Sequence, residues 1–290
     1  METILKQMID EHVVENSQDK QNAVKEVIQE IVLCGLARVG FFKEAAFYGG
    51  TALRIFYGID RFSEDLDFSL LEVNSNFSFE KYIPGLKNEL NSYGLNLEIV
   101  IKEKVHDSNI KSAFIKGNTK ELILKFYADD LLTKEFGNGE LVRVKFEVDS
   151  TPPPYAIIEH KFKQLPIPYE VSIYDLPSLF AGKVHAVLCR LWKNRVKGRD
   201  LYDFAFYILK KTPINLKHLN ARLIDSGFIT GDQELSLEDL KEKLKERFNS
   251  INYKSAKEDV INFLRYPSKI DIWSSEYFCS ITDEIKQTIK

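Results

Sequence analysis

A short apolar run, Ala45–Tyr48, meets Gly49-Gly50-Thr51, and thirteen residues later the chain reads Asp65-Leu66-Asp67. This pairing constrains the fold more than any other feature. The first part predicts a buried strand turning into a helix, and the second predicts a strand. In a strand, residues i and i+2 share a face, so Asp65 and Asp67 point one way while Leu66 enters the core. Two parallel carboxylates repel each other and stay ionised most readily around a divalent cation. The glycines expose backbone N–H groups with no side chain in the way, and Thr51 adds a hydroxyl or an N-cap. Such a turn ahead of a helix can cradle a phosphate. A phosphate cradle beside a metal-binding pair describes chemistry on a nucleoside triphosphate, with Gly49, Gly50 and Thr51 on its phosphates.

The surrounding periodicity extends the picture. Val24, Val27, Ile28, Ile31 and Val32 recur at helical spacing and predict a helix over 17–39. Further helices are expected over 51–57 and 78–93. Strands are expected over 45–48, 65–71, 95–101, 112–115, 122–127 and 169–173. The clearest strand is 142–148, where Val142, Val144, Phe146 and Val148 alternate with Arg143, Lys145, Glu147 and Asp149. Gly137-Asn138-Gly139 reads as a turn before it, and Pro152-Pro153-Pro154 ends it. From Asp175, a plausible N-cap followed by Pro177, the pattern becomes helical: 175–192, 200–211, 236–249 and 256–265. The division is an α/β core over 1–174 with its N-terminal helix, then a helical part over 175–290.

No apolar stretch reaches the roughly 20 residues that span a bilayer. The first residues carry acids and no apolar leader core, so a cytoplasmic protein is expected. Cys34, Cys189 and Cys279 are far apart and odd in number, which disfavours a disulfide framework or a zinc site. The net charge of −3 provides no global basic field. One local run stands out, however. Arg190, Lys193, Arg195, Lys197 and Arg199 fall together with no acid among them. That run is either a solvated helix end or a surface for RNA phosphates.

Gly-Gly-Thr-Ala-Leu-Arg at 49–54 and Arg-Phe-Ser-Glu-Asp-Leu-Asp-Phe at 61–68 resemble the signature of the DNA polymerase beta nucleotidyltransferase superfamily. Within it the chain is similar to the AbiEii toxin family of type IV toxin–antitoxin and abortive-infection systems. Ala181-Gly-Lys-Val-His-Ala186 and Arg195-Val-Lys-Gly-Arg-Asp-Leu-Tyr-Asp203 resemble that family's second block. The resemblance implies an α+β fold: a polymerase-beta-like core of mixed sheet and flanking helices, followed by a helical C-terminal part. It implies Mg²⁺ (or Mn²⁺) held by Asp65, Asp67 and a third carboxylate, for which Glu147 is preferred and Asp149 is the alternative. It also implies that Lys183 faces the triphosphate. By the same resemblance Asp200 would be the family's essential acid, either orienting Lys183 or assisting the acceptor hydroxyl, while Asp203 would hold its helix in place. Alone, Lys183 would read as a lysine reaching for solvent.

The function implied is transfer of a nucleotidyl group from an NTP to an acceptor hydroxyl on RNA, a tRNA above all, by a toxin with an adjacently encoded antitoxin. Two alternatives remain at this level: a regulator that binds NTP without transfer, and a transferase acting on protein hydroxyls.

Overall fold

The computed structural model describes residues 2–102, 110–127, 141–191, 196–231 and 233–288. By its internal contacts the chain divides into two compact units. The first comprises Met1–Phe56, Phe62–Pro152 and Glu159–Ile173. The second comprises Tyr57–Arg61, Pro153–Ile158 and Tyr174–Lys290.

The first unit is built on a seven-stranded mixed sheet. Its strands are β1 (Ala45–Tyr48), β2 (Asp65–Leu70), β3 (Glu98–Lys102), β4 (Ile110–Asn118), β5 (Leu141–Asp149), β6 (Ile158–Lys163) and β7 (Tyr169–Tyr174), in the order β3-β4-β5-β2-β1-β7-β6. β2 pairs parallel with β5 and antiparallel with β1, and β1 pairs parallel with β7. The alternation in 142–148 is realised: Val142, Val144, Phe146 and Val148 are buried while Arg143, Lys145, Glu147 and Asp149 face outward. The helices of this unit are α1 (Glu2–Asp10), α2 (Ser17–Arg38), α3 (Gly49–Tyr57), α4 (Ile83–Ser92) and α5 (Thr119–Tyr127). α2 is buried almost continuously from Ala23 to Leu36 and packs on α4, α5 and β5. Phe41, Phe47 and Phe68 join in edge-on and tilted ring contacts in the core, an arrangement that adds to plain area burial.

The second unit is helical: α6 (Leu176–Cys189), α7 (Gly198–Leu209), α8 (Leu216–Asp225), α9 (Leu237–Asn249), α10 (Tyr253–Val260) and α11 (Ser275–Thr282). Asp175 caps α6 as expected, its carboxylate accepting from the Ser178 N–H at 2.9 Å. Phe180, Phe204, Phe248 and Phe278 form its core.

Several expectations are corrected. Residues 122–127 are helical, not a strand. Leu122, Ile123 and Phe126 are buried at i, i+1 and i+4, and Asn118 accepts from the Glu121 N–H to cap the turn. A short apolar run fits either period, and here the helical one wins. The helix expected over 78–93 begins only at Ile83, and 256–265 is helical over Tyr253–Val260 followed by a short 3₁₀ turn. β6, α1, α8 and α11 were not anticipated. The expected turn at 137–139 lies outside the described residues. Among the described residues no helix is long and apolar enough to cross a membrane, and the three cysteines are free.

Candidate active site

In the first unit the sheet register decides which carboxylates share a neighbourhood. Leu66 and Phe68 are fully buried, so Asp65 and Asp67 take the opposite face, both half-buried. Directly across the parallel ladder, Asp65 meets Lys145, Asp67 meets Glu147 and Ser69 meets Asp149. Glu147 accepts from the Ser112 hydroxyl at 2.9 Å and pairs with the Lys145 ammonium at 2.8 Å. Asp149 instead accepts from the Thr151 N–H at 3.0 Å, closing the turn beyond the strand. Register and contacts therefore place Glu147, rather than Asp149, beside Asp67.

The Gly-Gly-Thr turn reaches the same face. α3 starts at Gly49, whose φ of +84° favours glycine. A Cβ there would run into the Asp67 carboxylate. The start of the helix thus abuts that carboxylate, at the end of the helix that favours negative charge. Thr51 departs from expectation. It lies inside the helix rather than at its N-cap and is fully buried, and its hydroxyl donates to the Asp65 carbonyl at 2.5 Å. The hydroxyl thereby joins the two halves of the signature.

α2 supplies a residue that the sequence reading passed over. Gln29 is fully buried, and its amide nitrogen donates to the carbonyls of Ser63 at 3.1 Å and Glu64 at 2.9 Å. No described group donates to its own buried oxygen, Oε1. An unpaired buried acceptor costs about 1–3 kcal/mol.

In the second unit, Lys183 and Asp200 come together with Asp203 and Arg61. Arg61 grips Asp203 with two nitrogens, at 2.5 and 2.6 Å, and both residues are buried. Lys183 spans Asp203 at 2.8 Å and Asp200 at 2.7 Å. The other oxygen of Asp200 accepts from Arg190 at 2.6 Å. Burial alone would raise the Asp203 carboxyl, but Arg61 and Lys183 outweigh it and hold it below the ordinary carboxylate range. Lys183 is thus no loose surface lysine. His185 bonds to Ser226 at 3.0 Å. Burial, assisted by Arg222, lowers its pKa to about 4.

The basic run is only partly uncommitted. Arg190 serves Asp200, and the Arg199 guanidinium lies 4.2 Å from the Phe263 ring centroid. Lys197 precedes α7 as its cap residue. Lys193 and Arg195 lie outside the described residues.

The family model of the AbiEii nucleotidyl transferase toxin, type IV toxin–antitoxin system, matches residues 31–275. The chain belongs to the AbiEii family. No curated protein matches it. Among solved structures, the MenT4 nucleotidyltransferase toxin of Mycobacterium tuberculosis H37Rv aligns with a TM-score of 0.56 at 15% identity, over 98% of this chain and 90% of that one. A putative nucleotidyltransferase from Helicobacter pylori aligns over 88% of this chain and 90% of its own at 18% identity, with a TM-score of 0.45. The AbiEii match makes the chain a nucleotidyltransferase of a type IV toxin–antitoxin system, with an NTP substrate and an antitoxin partner. MenT4 supports the fold: a mixed sheet flanked by helices with a helical C-terminal part.

The donor set of this AbiEii chain suits a hard cation. Mg²⁺ takes one or two carboxylates plus substrate phosphate oxygens, and Asp65 and Asp67 offer that pair with Gly49 tucked against Asp67. Glu147 fits by register; the cation it faces here is Lys145. Among the described residues no three His, Cys, Asp or Glu side chains are gathered closely enough to hold a metal ion. The fit is to a pair that substrate would complete, not to a ready three-carboxylate cage.

Proposed function

We propose that this chain transfers a nucleotidyl group from an NTP to a hydroxyl of RNA, a tRNA in particular, with Mg²⁺ or Mn²⁺ bound by Asp65 and Asp67 and reinforced by Glu147. The observation that carries this reading is the register Asp67–Glu147, with Asp65 on the same face and the start of α3 against Asp67. A divalent ion bound there would supply Lewis-acid stabilisation of phosphoryl oxygens and activation of the acceptor hydroxyl.

The acceptor hydroxyl gives up its proton to solvent as its oxygen attacks the α-phosphorus, the bond from that phosphorus to the α,β-bridging oxygen breaks, and pyrophosphate leaves. The backbone N–H groups of Gly49 and Gly50 bind phosphate oxygens at the helix start. Thr51 contributes from behind, fixing the Asp65 carbonyl. Lys183 supplies a point charge to the triphosphate. Asp200 holds Lys183 in orientation rather than acting as a base, because both its oxygens already accept from cations. Asp203 keeps Lys183 and Arg61 in place. Lys193, Arg195, Lys197 and Arg199 bind acceptor phosphates, and Arg190 divides its charge between that surface and Asp200. The antitoxin is encoded beside this chain.

The test is incubation with each α-³²P-labelled NTP and separated RNA and protein fractions of a cell lysate. Label should enter RNA of tRNA size and depend on Mg²⁺ or Mn²⁺. Label in protein alone would make the acceptor a protein hydroxyl, and binding without label transfer would leave a regulator.

A further inference from the structure

We infer that Gln29 is a positioning residue for the Asp65–Asp67 pair, and that one face of α2 sets the geometry of the signature from behind. The inference rests on the carboxylate-pair reading given above. β2 and its ladder with β5 begin at Asp65. The two peptide units just before it have their carbonyls held instead by one side chain, Gln29. The next carbonyl, that of Asp65, is held by Thr51. Three consecutive carbonyls are therefore fixed by side chains, which fixes the direction in which the Asp65 carboxylate leaves the backbone.

Neighbours on α2 act on the same elements. Lys25 pairs with Glu64 at 3.5 Å, and Glu26 pairs with Arg54 of α3 at 2.9 Å. Positions 25, 26 and 29 share one helical face, so a single face grips both the phosphate-binding helix and the start of the carboxylate strand. The chemistry of Gln29 argues for a role beyond packing. Among the described residues no donor reaches its buried Oε1, a cost that an apolar side chain of the same length would avoid. What the amide supplies in return is two N–H donors aimed at successive carbonyls, which neither Met nor Leu can replace. Residues behind metal ligands commonly control affinity and turnover in this way.

The experiment uses Gln29→Met in the full chain, with Asp65→Asn measured beside it. Below its melting temperature, Gln29→Met should transfer nucleotide about ten- to a hundredfold more slowly than wild type. The fall should lie in kcat rather than in KM for NTP. Mn²⁺ binding, followed by electron paramagnetic resonance without NTP, should weaken several-fold. A folded Gln29→Met protein with wild-type kcat and Mn²⁺ affinity would make Gln29 a packing residue and overturn the inference. If Gln29→Met does not fold, Gln29→Glu takes its place under the same criteria; if neither folds, the role is structural and the inference falls. Asp65→Asn separates the two levels. If it transfers normally, the carboxylate-pair reading itself has failed; if it is inactive while folded Gln29→Met is normal, only the role of Gln29 has failed.

Discussion

Asp67 and Asp203 are aspartates in opposite circumstances. Asp67 is half-buried on a sheet face shared with Asp65 and Glu147, and the backbone of Gly49 lies against it. Asp203 is fully buried, with Arg61 on both oxygens and Lys183 on one. A carboxylate that shares a sheet face with others is suited to a divalent cation. One already compensated by fixed cations gains nothing further and serves to fix the positions of others. The two should therefore fail differently when altered: Asp67 in chemistry, the Arg61–Asp203 pair in stability.

The largest expected effect breaks the chemistry. Asp65→Asn or Asp67→Asn should lower nucleotidyl transfer by about a thousandfold or more, some 4 kcal/mol of transition-state stabilisation. Melting temperature should stay near that of wild type. Labelled-NTP turnover alongside thermal melts measures both; a variant that transfers normally removes Asp65 or Asp67 from the site.

The reverse is expected of the helical cluster. Arg61→Met alone should leave Asp203 buried with a broken pair and cost about 3–5 kcal/mol in urea unfolding. Changing both partners, Arg61→Met with Asp203→Leu, should recover much of that loss. A single variant costing under about 1 kcal/mol would show that the pair does not anchor α7.

Acid unfolding sharpens the same contrast within the second unit. The folded pKa of Asp203 is lowered, so its contribution is present above the ordinary carboxylate pKa of about 3.9 and is lost only below it. His218 acts at higher pH. Burial lowers its pKa to about 4 although its Nδ1 bonds to the Pro154 carbonyl. An unfolded histidine titrates near 6.5, so stability should be full above that value and fall as the pH drops toward 4, by about 3 kcal/mol. His218→Gln should flatten this window in urea titrations. An unchanged slope would assign it to other groups.

The smallest effect concerns the basic run. Replacing Lys193, Arg195 and Lys197 with alanine should reduce the salt slope of RNA binding by up to about one unit per lost phosphate contact. NTP affinity should hold. An unchanged slope would make the run a solvated helix end.

The pairing of Gly49-Gly50 with Asp65 and Asp67 was legible because it depends on local rules, a permissive turn and a two-residue period. The same rules gave the alternation of β5 and the Asp175 cap. They failed at 122–127, where a short apolar run satisfies two periods and packing chose the helix. They also could not foresee the partner of the Thr51 hydroxyl, the Asp65 carbonyl fourteen positions on.

Sequence alone thus determined the family signature, the faces of the signature strands and the passage from a mixed sheet to a helical C-terminal part. Tertiary structure decided which residues those faces meet. Glu147 and Asp149 share one face, and only the pairing of β2 with β5 sets Glu147 opposite Asp67. Arg61 and Asp203 are 142 positions apart, and Gln29 lies 34 from Ser63. Periodicity fixes the direction of a side chain within its own element, but the partner at the end of that direction depends on how distant elements pack.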